Sequence, residues 1–228
     1  MAGGFGVFRK SLTTSLLALI IFTLRAPGAG AGGGAILMVL FDETTANGRL
    51  RVVSRYFEGT DRTVVTGTFF APTGEVVTVS CDSVTGECVG AWPSSASVVS
   101  RPLSNQQVAV ELFSNGTEVW AGIVDVNGNF VQGSAEGFRG LMAAMAQENA
   151  SALASFTAFL EEQQILEPDG LQCYTLGDRF NRNISCAATV IGLIASYPAM
   201  FTCVTIIGCP LAVGAHAAAV VGMVTSCF

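Results

Sequence analysis

From Asn183 to Phe228 the chain carries no Lys, Arg, Asp or Glu. A helix that is apolar on every side is either enclosed by protein or enclosed by lipid, so this stretch needs a shelter. Two apolar runs, Ala187 to Ile207 and Leu211 to Phe228, flank Gly208-Cys209-Pro210, where glycine and proline predict a turn between two helices. The spacing from Cys186 to Cys203 nearly equals that from Cys209 to Cys227. Antiparallel helices joined at the Gly-Cys-Pro turn would each separate their two cysteines by about 26 Å. That match favours a nested pairing, Cys203 with Cys209 and Cys186 with Cys227, stapling a helical hairpin at both ends. Four cysteines allow three pairings, and this one is preferred on geometry alone. Gly214, Ala218 and Gly222 lie one turn apart on one side of the second helix, where small side chains would let another helix approach.

The rest of the chain is organised differently. Residues 1–31 read as a signal peptide: Arg9 and Lys10 precede an apolar core from about Leu12 to Leu24, and Ala29-Gly30-Ala31 fits a cleavage site. The apolar run is about half of what a bilayer crossing needs. The expected location is therefore secreted or in the cell envelope. Loss of Arg9, Lys10 and Arg25 would take the formal charge from −6 to about −9. So acidic a product is unsuited to nucleic acid and to simple electrostatic attraction by anionic lipid. All 7 cysteines follow the leader, and an oxidising compartment is expected to pair them. The odd one, Cys173, would be free or would link two chains in a dimer.

Residues 36–135 alternate short β-branched and aromatic runs with turn residues, as in Leu50 to Phe57, Thr63 to Phe70, Glu75 to Ser80, Val108 to Phe113 and Val119 to Val126. This predicts an antiparallel β domain, either a sandwich or a partial barrel. Asn115-Gly116 and Asn127-Gly128 are expected to supply type I′ hairpins, and Pro72-Thr73-Gly74 a chain reversal. Cys81 and Cys88 bracket a turn-forming insert, so a disulfide across that hairpin is expected, with a stabilising role. Over residues 136–167, Phe138, Leu141, Met142, Met145, Leu153, Phe156 and Leu160 recur at helical spacing, predicting one amphipathic helix that covers a face of the sheet. The fold class is thus α+β: a β domain, an amphipathic helix, and a Cys-rich apolar helical module over residues 171–228.

From about Leu171 to Phe228, the charge-poor composition rich in Cys, Gly, Ala and Val, behind a long acidic N-terminal part, resembles precursors of cysteine-rich bacteriocins of the halocin kind. The resemblance implies a C-terminal segment released as a stable antimicrobial peptide and an N-terminal part that can protect the producer. The Glu167-Pro168-Asp169-Gly170 connection is the expected place of any processing, because few contacts should cross it. The partner implied is a target-cell membrane, or another copy of the chain associating through the hairpin. The rival expectation is a non-enzymatic extracellular or envelope protein that binds through its sheet, with the hairpin as core or anchor.

No cofactor and no enzymatic activity are expected. His216 is the only histidine. It could be written into a zinc site with Cys203, Cys209 and Cys227, but the spacings are wide and disulfides are favoured. Its simpler role is a helix position near a partner carbonyl. Asp125, Asn127, Asn129 and Glu136 match part of a calcium loop, yet Phe130 stands where glycine is required. Asn115, Asn149 and Asn183 each begin an Asn-x-Ser/Thr triplet, which matters only in a glycosylating host. There is no nucleophile elbow, phosphate loop or paired metal-binding histidine.

Overall fold

The computed structural model describes residues 35–163, 182–201 and 208–227. The leader, the 167–170 connection, Cys173 and Cys203 lie outside the described residues. Nine strands run in chain order: β1 Ala35–Thr45, β2 Gly48–Phe57, β3 Arg62–Phe70, β4 Val76–Asp82, β5 Cys88–Ala91, β6 Ala96–Pro102, β7 Gln107–Ser114, β8 Thr117–Asp125 and β9 Phe130–Gln132. Four helices follow: α1 Ala135–Glu148, α2 Ala150–Glu162, α3 Arg182–Met200 and α4 Gly208–Cys227. The protein is α+β, as its sequence pattern predicts.

All nine strands belong to one antiparallel sheet in which each pairs with its neighbour in sequence, so the sheet is an open meander. Two facing sheets do not occur among the described residues. Period-two alternation sends one set of side chains inward: Leu50 and Val52 on β2, Val77 and Val79 on β4, Val98 on β6, and Val108, Val110 and Leu112 on β7 are all buried. Their neighbours Arg49 and Arg55 on β2 are exposed. Asn115 (φ 50°) and Gly116 (φ 76°) both have the positive φ of a type I′ hairpin between β7 and β8.

The second Asn-Gly pair behaves otherwise. Only Gly128 has positive φ there, because Asp125 Oδ1 accepts the N–H groups of Asn127 and Asn129, each at 2.9 Å, and shapes the turn itself. The hydrogen bond from the Asn129 side chain, with these backbone bonds, holds the Asp125 carboxyl below the usual carboxylate range. The residues of the partial calcium pattern are therefore a self-satisfied turn.

The expected single helix over 136–167 is two helices. Asn149 leaves helical geometry (φ −111°, ψ 20°) between them, and its buried carboxamide explains the break. Its Oδ1 accepts from Ser94 N at 3.1 Å, while Nδ2 donates to Ser94 Oγ and to Met145 O, both at 2.8 Å. These bonds tie the helix break to the β5–β6 turn. They also fill the amide that a glycan would need, whereas Asn115 stands in an exposed hairpin turn and the side chain of Asn183 lies outside what the structure describes. Ser134 caps α1 by accepting from Gly137 N at 3.0 Å. Phe138, Met142 and Met145 of α1, and Phe156, Phe159 and Leu160 of α2, are buried. Phe156 stacks on Phe69 of β3 with centroids 4.6 Å apart, so α2 closes on the inner face of the sheet.

A second correction concerns Gly208-Cys209-Pro210. These residues form the first turn of α4, where proline needs no hydrogen-bonded N–H and its fixed φ suits a helix start. The link from α3 to α4 therefore falls at residues 202–207, outside the described residues. Among the described residues no helix is long and apolar enough to cross a membrane.

Candidate functional site

The feature that sets this molecule apart is where the uncharged helices sit. One cross-strand row of the inner face runs Val52, Gly67, Val79, Gly90, Val98, Leu112. Its two glycines leave hollows that α3 fills. A Cβ on Gly67 would lie 2.1 Å from Ile194 Cδ1, and a Cβ on Gly90 would lie 2.3 Å from Tyr197 Cε1. Ile194 and Tyr197 are three residues apart, hence on one side of α3. The helix α4 is held from another direction. A Cβ on Gly128, in the β8–β9 turn, would lie 1.8 Å from Pro210 O, and one on Gly214 would lie 2.9 Å from Gly128 N. Backbone meets backbone there, as glycine alone permits.

The helix-packing trio of the sequence reading is thereby distributed. Gly214 faces the β8–β9 turn, Ala218 is exposed, and Gly222 lies 3.5 Å, measured from an ideal Cβ, from Thr189 of α3. Only Gly222 marks an approach between the two helices. Of the cysteines, Cys81 and Cys88 are joined by a disulfide and sit directly opposite each other on β4 and β5. Cys209 is buried and disulfide-bonded. Cys186 and Cys227 belong to α3 and α4, but their side chains, like Cys203, lie outside what the structure describes.

Between the sheet and the two helices is a buried polar cluster. His216 of α4 is fully enclosed. Its Nε2 lies 2.8 Å from Ser100 Oγ of β6, and its Nδ1 lies 2.9 Å from Ser196 Oγ of α3. Ser196 Oγ donates to Leu193 O at 2.6 Å. That bond consumes the one hydroxyl proton of Ser196, so its oxygen accepts from His216 Nδ1–H. A neutral imidazole has one N–H, so Nε2 is the acceptor and the Ser100 hydroxyl donates to it. Burial pushes the His216 pKa down to about 3 and so keeps the ring neutral. The Tyr197 ring packs edge-on against it with centroids 4.8 Å apart. Burial raises the Tyr197 pKa and the Ser100 hydroxyl opposes the rise, although Tyr197 Oη meets no partner in hydrogen-bonding geometry.

Chemically, the arrangement joins three elements, since one ring bridges β6, α3 and α4. A Ser–His hydrogen bond is present, Ser100 and His216 are both fully buried, and among the described residues no carboxylate is bonded to the imidazole. Both ring nitrogens are occupied by serines, and among the described residues no three His, Cys, Asp or Glu come together to hold a metal ion. Ser100, Ser196 and Tyr197 were not singled out in the sequence. The readable signal was Ser100, which follows Ala96 and Val98 at inward spacing on β6 and so places a hydroxyl in an apolar row. Comparison with protein-family models, with curated proteins and with solved structures finds no match.

Proposed function

We propose that this is a secreted, bacteriocin-like precursor that carries its own membrane-active part. In this reading the sheet and α1–α2 form a holder, and the uncharged α3–α4 pair is the cargo kept from water and from lipid. One observation supports it above others: α3, which belongs to the longest charge-free segment of the chain, is seated on the inner face of the sheet by Ile194 and Tyr197 in the hollows at Gly67 and Gly90. Released from that seat, a hairpin stapled through Cys186 with Cys227 and Cys203 with Cys209 would present apolar faces to a target membrane and insert into it or permeabilise it. The fold of the holder then explains why a producer survives making it.

A second reading has its own support. The hydrogen bonds that join His216 to Ser100 and Ser196, and the backbone approach of Gly128 to Pro210, tie the helices to the sheet as a permanent core would be tied. In that case the protein is a non-enzymatic extracellular or envelope protein, and its ligand surface is the outer face of the sheet. Dye leakage from lipid vesicles separates the two. The oxidised peptide of residues 171–228 should cause leakage, the intact chain should not, and the reduced and blocked peptide should lose the effect. A demonstrably folded oxidised peptide that leaves vesicles sealed would sink the carrier reading in favour of the permanent core.

A further inference from the structure

We infer that Ser100, His216 and Ser196 form an acid-sensitive latch: the neutral imidazole pins α3 and α4 to β6, and its protonation frees them. The inference deepens the carrier reading, on which its purpose rests, by naming what would release the cargo.

Nδ1–H donates to Ser196 on α3, and Nε2 accepts from Ser100 on β6, so one ring links both helices to the sheet. In this arrangement the ring carries no charge, which is what an enclosed site tolerates. A second ring proton would turn the Ser100 hydroxyl away from the ring, and would place a full charge in an apolar core. Among the described residues no carboxylate is bonded to the ring, whose partners are Ser100, Ser196 and Tyr197. The helices α3 and α4 contain no acid after Arg182. In the strand pairing around Ser100 the inward-facing residues are apolar or disulfide-bonded: Val98 two positions along β6, Val110 opposite on β7 with Val108 and Leu112 on either side, and Cys88 opposite on β5. Of the charged groups on the strands around Ser100, Arg101 bonds Glu87 at 2.9 Å with both side chains partly exposed, and Glu111 of β7 acts electrostatically on Arg101. Tyr197 is the one titratable side chain in ring contact, and as a neutral phenol it offers no counter-charge.

The sign follows from linkage. With a folded pKa of about 3 and an open-state value near 6.5, the open state binds more protons, so the closed state is fully favoured above about pH 6.5 and loses ground as pH falls toward 3. From pH 7 to pH 5 the closed-to-open ratio should drop about 25-fold. The carboxylates held low by their partners do not contribute in this window. Asp42, bonded by Arg49, and Asp125, bonded by Asn129, lie below their ordinary value of 3.8. Asp82, where bonds from Arg62 and the Val84 amide outweigh burial, does too.

Hydrogen–deuterium exchange of the intact oxidised chain, corrected for intrinsic rates, tests this at pH 7 and pH 5. The expected result is a loss of protection of about 25-fold in α3 and α4 at pH 5, with β2 to β4 unchanged. His216→Leu should abolish the pH step. Unchanged protection of the wild-type helices at pH 5 would overturn the latch without recourse to any variant. So would loss of sheet and helices together, or an equal step in His216→Leu. Vesicles added at pH 5 keep the two proposals apart: helices that open without leakage leave the latch standing and remove the carrier reading, whereas helices that stay closed remove the latch whatever the isolated peptide does.

Discussion

The seating of α3 on the sheet depends on Gly90, and replacing it with alanine is the most informative single change. The added Cβ would lie 2.3 Å from Tyr197 Cε1, 2.7 Å from Cδ1 and 2.8 Å from Cζ, where carbon pairs rest at about 3.5–4.0 Å. The ring must retreat by more than an ångström. It cannot flex as an aliphatic tip can, and His216 stands behind part of it at a centroid separation of 4.8 Å. Forcing extra volume into such a core costs about 1–3 kcal/mol. Alanine returns roughly 0.5–1 kcal/mol by restricting the unfolded chain, so the net loss for G90A should be about 1–2 kcal/mol. Gly67 provides an internal comparison. There the obstructing atom is Ile194 Cδ1, the free end of a rotatable side chain, so G67A should cost less than G90A. Urea unfolding followed by tryptophan fluorescence gives both numbers, and a double-mutant cycle with Tyr197→Leu isolates the contact. G90A as stable as the parent, or equally damaging once Tyr197 is truncated, would refute the reasoning.

Other substitutions probe the remaining joints. Phe156→Ala removes the ring stacked on Phe69 and should cost about 3–5 kcal/mol, measured by the same unfolding assay. Tyr197→Phe deletes a buried hydroxyl that has no partner, so it should be neutral or stabilising by up to about 1 kcal/mol; a clear loss would mean that the hydroxyl is bonded after all. Asn149→Ala leaves the Ser94 amide without its buried acceptor and should cost about 1–3 kcal/mol, with faster amide exchange concentrated at the β5–β6 turn.

How far the fold was legible in the sequence can be traced to particular residues. The strands β3, β4 and β7 announce themselves because each alternates in and out of an apolar face, β2 does so over its first half, and β8 is marked by the Asn115-Gly116 turn that precedes it. The strand β5 is four residues with glycine inside it, too short to carry a pattern. The break at Asn149 was hidden because the apolar spacing runs on through it. The carboxamide partners that cause the break come from Ser94, 55 positions earlier in the chain. Likewise, the one histidine was visible, but its serines sit 116 and 20 positions away, and register alone brings them to it. The missing charge after Arg182 told that the C-terminal helices need shelter. That the shelter is a groove made by Gly67 and Gly90 depends on strand pairing, which local pattern does not specify.

The most direct test of the central claim, that the uncharged helices lie in the groove of the sheet, is nuclear Overhauser spectroscopy of the intact chain at neutral pH. The account predicts cross-peaks from Gly90 Hα to the Tyr197 ring and from Ser100 Hβ to the His216 ring, with Gly90 Hα shifted by the aromatic current. A sheet whose own cross-strand peaks are intact, but which shows none to α3 or α4, would contradict it.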